Sequence, residues 1–272
     1  MRAIALHPDV LLVTSAVLAV NCVIVRGPAD AQAPPVTSGS PGETFVIDSL
    51  VLPDEHDALP ALLGQAGFPA PSGLLATHGD WDHLLARLAF PVAALGCAES
   101  TAERLQAAPG EAQRSLRAFD EELMIRRTRP LALGAVQALP VPGRCALGDR
   151  ELELHPTAGH VADGMAVLAP WAGVMVVGDY ISPVELPTLA AGGLESYLET
   201  LARLRGLIER VEHVVPGHGQ VLDRPGATAV LEEDEAYLRD LAERGAEAEL
   251  PTRCSGAWQR RLHGENAVAI AT

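Results

Sequence analysis

Four side chains able to hold a metal ion fall within six residues at His78-Gly79-Asp80-Trp81-Asp82-His83. Imidazole and carboxylate are the common donors to zinc and its first-row neighbours. In extended backbone, residues i and i+2 point the same way, so His78 and Asp80 can grip one ion. The turn into a following helix then lets Asp82 and His83 face a neighbouring ion. Three more candidates each follow an apolar run: His160 after residues 151–155, Asp179 after 174–177, and His218 after Val214-Val215-Pro216-Gly217. Singly, each has an ordinary reading as a loop histidine, a turn former or part of a Pro-Gly turn. Strand ends sharing one edge of a sheet would bring them together, and their small glycine neighbours would leave room for ions. Tyr180 and Ser182 either line such a pocket or pack beneath it, and Trp81 reads as a packing residue.

The elements expected to position these groups alternate between strand and helix. Apolar, Val-rich runs predict strands at 10–13, 16–26, 44–48, 73–77, 92–95, 135–139, 151–155, 165–168, 174–177 and 212–215. Helical spacing is expected over 54–66, with Asp54 as candidate N-cap, and again from Leu84 to Ala89 just after the His78 cluster. A polar helical stretch over 99–127 should break near Pro109-Gly110 and cover the site as a lid or form a solvated layer. An amphipathic helix follows at 194–211. A helical C-terminal segment is expected over about 224–265, with residues 224–249 strongly charged. The Pro, Ala, Ser and Gly of residues 27–42 predict a long exposed loop. Strands preceding helices in each half suggest sheets inside and helices outside, in one domain over 1–272.

Composition excludes some partners. A 272-residue chain with 48% hydrophobic and 20% charged residues can bury a substantial core. Its net charge of −15 disfavours nucleic acid and anionic membrane as partners. The apolar run over 10–25 is interrupted by Thr14, Ser15 and Asn21 and is short against the ~20 residues of a spanning helix. Only Arg2 supplies a basic start, so a secretory signal is not expected either. The reading is a cytoplasmic protein, with Cys22, Cys97, Cys145 and Cys254 as free thiols. A Gly-x-Ser-x-Gly nucleophile turn does not occur in the sequence.

The ordered set of His78, Asp80, Asp82, His83, His160, Asp179 and His218 resembles the metallo-β-lactamase superfamily, whose motif is His-x-His-x-Asp-His followed by a later His, a bridging Asp and a final Gly-His. Val46-Ile47-Asp48 also resembles the family's early strand ending in Asp. The resemblance implies an α/β αββα sandwich with two divalent ions, zinc above all. His78, the residue at position 80 and His160 would hold the first ion. Asp82, His83 and His218 would hold the second, with Asp179 bridging both. By the same resemblance the activity is hydrolysis of a small ester, thioester or lactone by a metal-held hydroxide, with Asp82 the catalytic residue that orients it.

One position departs from the pattern. Where the family has its second His, this chain has Asp80, a harder donor that shifts preference toward iron or manganese. Asp is short and reaches an ion directly or through water. Around two divalent ions, three aspartates and a hydroxide leave no net charge, which disfavours β-lactams as the substrate. Two alternatives follow: an iron-site oxidoreductase related to flavodiiron or dioxygenase members, and a metal-binding protein with little turnover. Oligomeric state is not legible, since no heptad pattern is present.

Overall fold

Strands that are apolar on both sides of the pleat need cover on both faces, and the computed structural model supplies it. It describes residues 1–27, 42–189 and 192–271. β1 (Arg2–His7), β2 (Val10–Thr14), β3 (Asn21–Arg26) and β4 (Thr44–Ile47) form an antiparallel run. After α1 (Pro53–Gln65), β5 (Gly73–Leu75) pairs parallel with β4. A single 3-10 turn at Trp81–His83 and the short α2 (Ala86–Ala89) lead to β6 (Ala94–Ala98). Next, α3 (Glu99–Ala107) and α4 (Glu111–Glu122) cross to β7 (Val136–Leu139), which closes this first sheet in parallel.

The second sheet runs from β8 (Gly143–Leu147) through β9 (Arg150–Pro156), β10 (Met165–Ala169) and β11 (Val174–Val176). From β11, α5 (Leu194–Ile208) crosses to the parallel strand β12 (His213–Val215). The strand β13 (Leu222–Asp223), α6 (Arg224–Arg244) and α7 (Ala257–Ala271) complete the described chain.

Side chains alternate across each strand, and that alternation sorts the core into three layers. Val10, Leu12, Val23 and Val25 meet Leu154, Met165, Val167 and Val176 between the sheets. Their neighbours Leu11, Val13, Ile24 and Leu74 face outward onto Leu59 and Leu63 of α1, Ala102 of α3 and Leu116 of α4. Ala166, Leu168, Met175 and Val214 likewise face Leu201 and Leu204 of α5 and Leu231 and Leu238 of α6. The architecture is the αββα sandwich expected from the sequence, and the helical break at Pro109-Gly110 lies between α3 and α4.

Several boundaries differ for identifiable reasons. Residues 16–19 are a turn rather than part of a strand, with Leu18 and Ala19 at φ of 57° and 51° and Ser15 N donating to Val20 O at 2.9 Å. Asp54 does not cap α1. The helix starts one residue earlier at Pro53 after Leu52, and the Glu55 carboxylate accepts the Leu52 amide at 3.1 Å, as in a capping box. That carboxylate also accepts from Ser15 Oγ at 2.7 Å and Ala16 N at 2.8 Å, tying the turn to the helix. The edge strands β1 and β8 were not anticipated, because their residues are half exposed and carry weak apolar patterning. The loop expected over 27–42 lies, at 28–41, outside the described residues. Among the described residues, no helix is long and apolar enough to cross a membrane.

Candidate metal centre

Every expected ligand sits beyond the C-terminal end of a strand, along one rim where the two sheets meet. His78 follows β5, His160 follows β9, Asp179 follows β11 and His218 follows β12. The sheets are stitched together at this rim by main-chain bonds. Met165 N donates to Thr77 O at 2.7 Å and Asn21 N to Gly217 O at 2.8 Å, while within the second sheet Gly217 N donates to Gly178 O at 2.6 Å. Asn21 is fully buried and its Nδ2 donates to Pro216 O at 2.9 Å and Gly219 O at 2.8 Å, which shapes the loop presenting His218.

The side chains converge as two clusters sharing one carboxylate. Asp179 turns Oδ2 toward His78 Nε2 at 3.5 Å and His160 Nε2 at 3.3 Å. Its Oδ1 faces His83 Nε2 at 3.2 Å and His218 Nε2 at 3.5 Å. Asp82 Oδ2 completes the second cluster at 3.3 Å from His218 Nε2 and 3.9 Å from His83 Nε2. Asp80 Oδ2 adjoins the first, at 3.5 Å from His78 Nε2 and 3.6 Å from His160 Nε2. Tetrahedral ligands about 2.0–2.1 Å from a zinc ion stand roughly 3.3–3.5 Å apart; Asp179 meets that spacing in the first cluster with His78 and His160, and Asp80 lies at its outer edge. All seven residues expected from the sequence therefore meet at one place.

The donor atoms fit a metal on a second ground. His78 Nε2, His83 Nε2, His160 Nε2 and Asp179 Oδ1 are buried and accept or donate no hydrogen bond among the described residues. Buried polar atoms are rarely left so, because each costs its desolvation. Two rear nitrogens, by contrast, are hydrogen-bonded, and a third faces a carboxylate. His218 Nδ1 lies 2.9 Å from Leu18 O and His78 Nδ1 3.1 Å from Thr77 Oγ1, while His83 Nδ1 lies 3.0 Å from Asp48 Oδ2 as a charge contact without hydrogen-bond geometry. A proton on Nδ1 of His83 or His218 leaves the Nε2 lone pair free for an ion. Asp48, fully buried, also accepts from Thr77 N at 2.7 Å and Thr77 Oγ1 at 2.9 Å, anchoring the strand end that carries His78.

Without an ion, the clusters hold protons. Burial pulls His78 down and its neighbour His83 pulls the same way, but the Asp179 and Asp80 carboxylates outweigh both and push it up to about 10. His218 is likewise drawn down by burial and raised to about 10 by Asp179, Glu185 and Asp82. Burial works against ionisation of Asp82, yet His83 and His218 hold it below the usual carboxylate range. Because the two histidines titrate above their unfolded value of ~6.5, their ion pairs stabilise the metal-free fold fully below that pH. That contribution is lost as pH climbs through about 10. Ligation needs neutral imidazole, and His83, though drawn down by burial, is also raised well above its usual value by Asp179 and Asp48, so zinc binding at pH 7 is expected to release roughly three protons. Calorimetry in buffers of different ionisation enthalpy reads this directly. Binding with no proton release would show that these histidines are already neutral.

Other expected residues turn out to support the ligands. Tyr180 is buried and its hydroxyl accepts the His160 amide at 3.0 Å, while Ser182 Oγ donates to His218 O at 3.0 Å. Both hold ligand backbone, the packing alternative of the two. Trp81 packs on Phe119 of α4, ring centroids 4.6 Å apart. Glu185 was missed by the sequence reading. Its carboxylate joins Asp179 and His218 in a further acidic group, and burial pushes it up to about 7 against the pull of His218. Arg104 and Asp163, which contact the His78 loop, were missed as well.

Comparison with known proteins agrees with this geometry. No curated protein matched the chain. Among solved structures, a metallo-beta-lactamase family protein from Thermus thermophilus superposes with a TM-score of 0.69 at 20% identity, covering 98% of this chain and 93% of that one. A beta-lactamase domain protein from Burkholderia ambifaria gives 0.64 at 16% identity, covering 98% and 87%. A stereoselective inverting sec-alkylsulfatase from a Pseudomonas species gives 0.69 at 14% identity, covering 98% of this chain and 49% of that one. These likenesses concern the fold. The sequence profile of the metallo-beta-lactamase superfamily matches residues 17–218, from the turn beside the second cluster to its last ligand, and the chain belongs to that superfamily.

Proposed function

We propose that the protein is a metal-dependent hydrolase of a small ester, thioester or lactone. The observation that carries the reading is the Asp179 carboxylate, whose two oxygens each face a separate pair of imidazoles. His78, Asp80 and His160 would hold one ion, and Asp82, His83 and His218 the other. Bound there, divalent ions, most simply two zincs, would acidify water toward ~7 and polarise the attacked carbonyl.

The chain's own residues then have distinct tasks. Asp82 lies at the second cluster with a low-lying carboxyl, which suits orienting the attacking water through a hydrogen bond better than strong general-base work. Asp179 keeps the two clusters in register. Asp48, Thr77 and Leu18 O hold the imidazole planes from behind, so little reorganisation is needed as charge develops. Glu185 beside His218, raised to about 7 by burial, adds part of a negative charge to the second cluster near neutral pH. Together with the net charge of −15, it favours neutral or weakly charged substrates over anionic ones. The free thiols accord with a reducing, cytoplasmic setting.

Asp80 favours a second reading, an iron site with redox activity, because a carboxylate is a harder donor than imidazole. Metal analysis of protein prepared without chelators, with a screen of esters, thioesters, lactones and phosphodiesters, separates the two. Two zinc ions with ester, thioester or lactone turnover are the expected result. Iron with oxygen consumption would replace the first reading by the second, metal with no turnover would leave a binding role, and no metal would end all of these.

A further inference from the structure

The helix α3 carries no motif, yet its Arg104 reaches the metal loop. Nη2 donates to Asp80 Oδ1 at 2.7 Å and Nη1 to Asp163 Oδ1 at 2.9 Å. Asp163 is only 3% exposed, and its other oxygen accepts from Gly79 N at 3.1 Å and Thr101 Oγ1 at 2.7 Å. The guanidinium is thus fixed at both ends. The carboxylate that fixes it also fixes the peptide between His78 and Asp80.

We propose that Arg104 is a positioning residue for the first ion, turning Asp80 so that one oxygen faces the histidines and holding a guanidinium charge against the other. The inference rests on the dinuclear reading above. The Asp80 side chain is 29% exposed, so it has room to swing toward solvent or to chelate through both oxygens. With Oδ1 committed to Arg104, only Oδ2 is left for His78 Nε2 and His160 Nε2. The charge follows the same logic. Three aspartates and a hydroxide would neutralise two divalent ions; Arg104 adds one positive charge and its buried partner Asp163 one negative, so the sum is unchanged and what Arg104 sets is where positive charge stands, against Asp80. Asp80 and Arg104 therefore act as a unit, and exchanging one without the other should harm the site. An ordinary exposed ion pair would contribute little and leave metal binding unchanged.

The test uses the full chain freed of metal, with zinc as the probe, reading stoichiometry by atomic emission and affinity by competition with a chromophoric chelator. Arg104→Gln is expected to keep the second ion and weaken the first by about 10–100-fold, the range for outer partners of metal ligands. Arg104→Lys keeps the charge but loses the two-ended fork, and should fall between Arg104→Gln and the wild type. It carries the same test should circular dichroism show that Arg104→Gln does not fold. Asp80→His alone leaves a guanidinium against the ion, so its first site should bind zinc no better than the wild type. Asp80→His with Arg104→Gln should bind at least about tenfold tighter than Asp80→His alone. Wild-type affinity in a folded Arg104→Gln or, failing that, Arg104→Lys, or equal affinity in Asp80→His with and without Arg104, would overturn the proposal. A wild type that takes up no zinc would instead sink the dinuclear reading beneath it.

Discussion

Replacing Asp179 by Asn is expected to leave room for no more than one ion and to lower hydrolysis by more than about 100-fold, beyond the roughly 10–100-fold that outer partners of metal ligands cost. The amide keeps the shape of the carboxylate but offers one acceptor where Asp179 offers two. One histidine pair would then face N–H donors instead of an oxygen anion. Since Asp179 is the carboxylate common to the upward shifts of His78, His83 and His218, those shifts should shrink in the variant. The metal-free protein should accordingly lose less stability between pH ~6.5 and about 10 than the wild type does. Metal stoichiometry, turnover and apo melting curves at two pH values read the three consequences separately. Two ions with wild-type turnover would refute the bridging role.

The convergence of the candidate ligands was legible because metal chemistry restricts residue type and strand ends restrict place. His78, Asp82 and His83 announce themselves by density, and His160, Asp179 and His218 by ending apolar runs. The layers were legible for the same reason, since runs such as Val10 to Val13 have no polar face and must lie between two others. What the sequence did not show are partners set by tertiary packing. Arg104 is one arginine on a polar helix, and nothing in its neighbourhood distinguishes it from Arg114 or Arg117 of α4. Asp163 lies three residues beyond His160, and that proximity was the available signal. Glu185 gave none, as it lies between prolines in a segment without periodicity. The cap of α1 was misplaced because Glu55 serves, besides the Leu52 amide, two donors from the distant turn at Ser15 and Ala16, which no local rule anticipates. Asp80 shows the same limit from the other side. Its departure from the family motif was visible, but the guanidinium that compensates it was not.

Gly217→Ala is expected to empty the site while leaving the fold standing. Gly217 packs its backbone against Asp179: a Cβ built there would lie 2.0 Å from Asp179 Oδ1 and 2.9 Å from His83 Cε1. It would also come within 3.1 Å of the Gly178 carbonyl carbon, so sliding the loop away is hindered by Gly217 N, which donates to Gly178 O at 2.6 Å. Asn21 holds the same loop from the other sheet, through its main-chain N on Gly217 O and its side-chain Nδ2 on Pro216 O and Gly219 O. The cheaper response is for the Asp179 side chain to rotate off its rotamer, at about 0.5–1.5 kcal/mol. That small cost to stability takes Oδ1 away from His83 and His218. The variant should therefore melt within a few degrees of the wild type in metal-free form, since about 1 kcal/mol shifts Tm by roughly 2–4 °C in a chain of this size. Zinc stoichiometry should fall together with turnover, by more than the roughly 10–100-fold of an outer-partner change. Gly217 has no side chain to offer an ion, so loss of a ligand atom cannot produce that pattern. If Gly217→Ala binds two ions as tightly as the wild type, the close approach of the His218 loop to Asp179 is not what shapes the bridge.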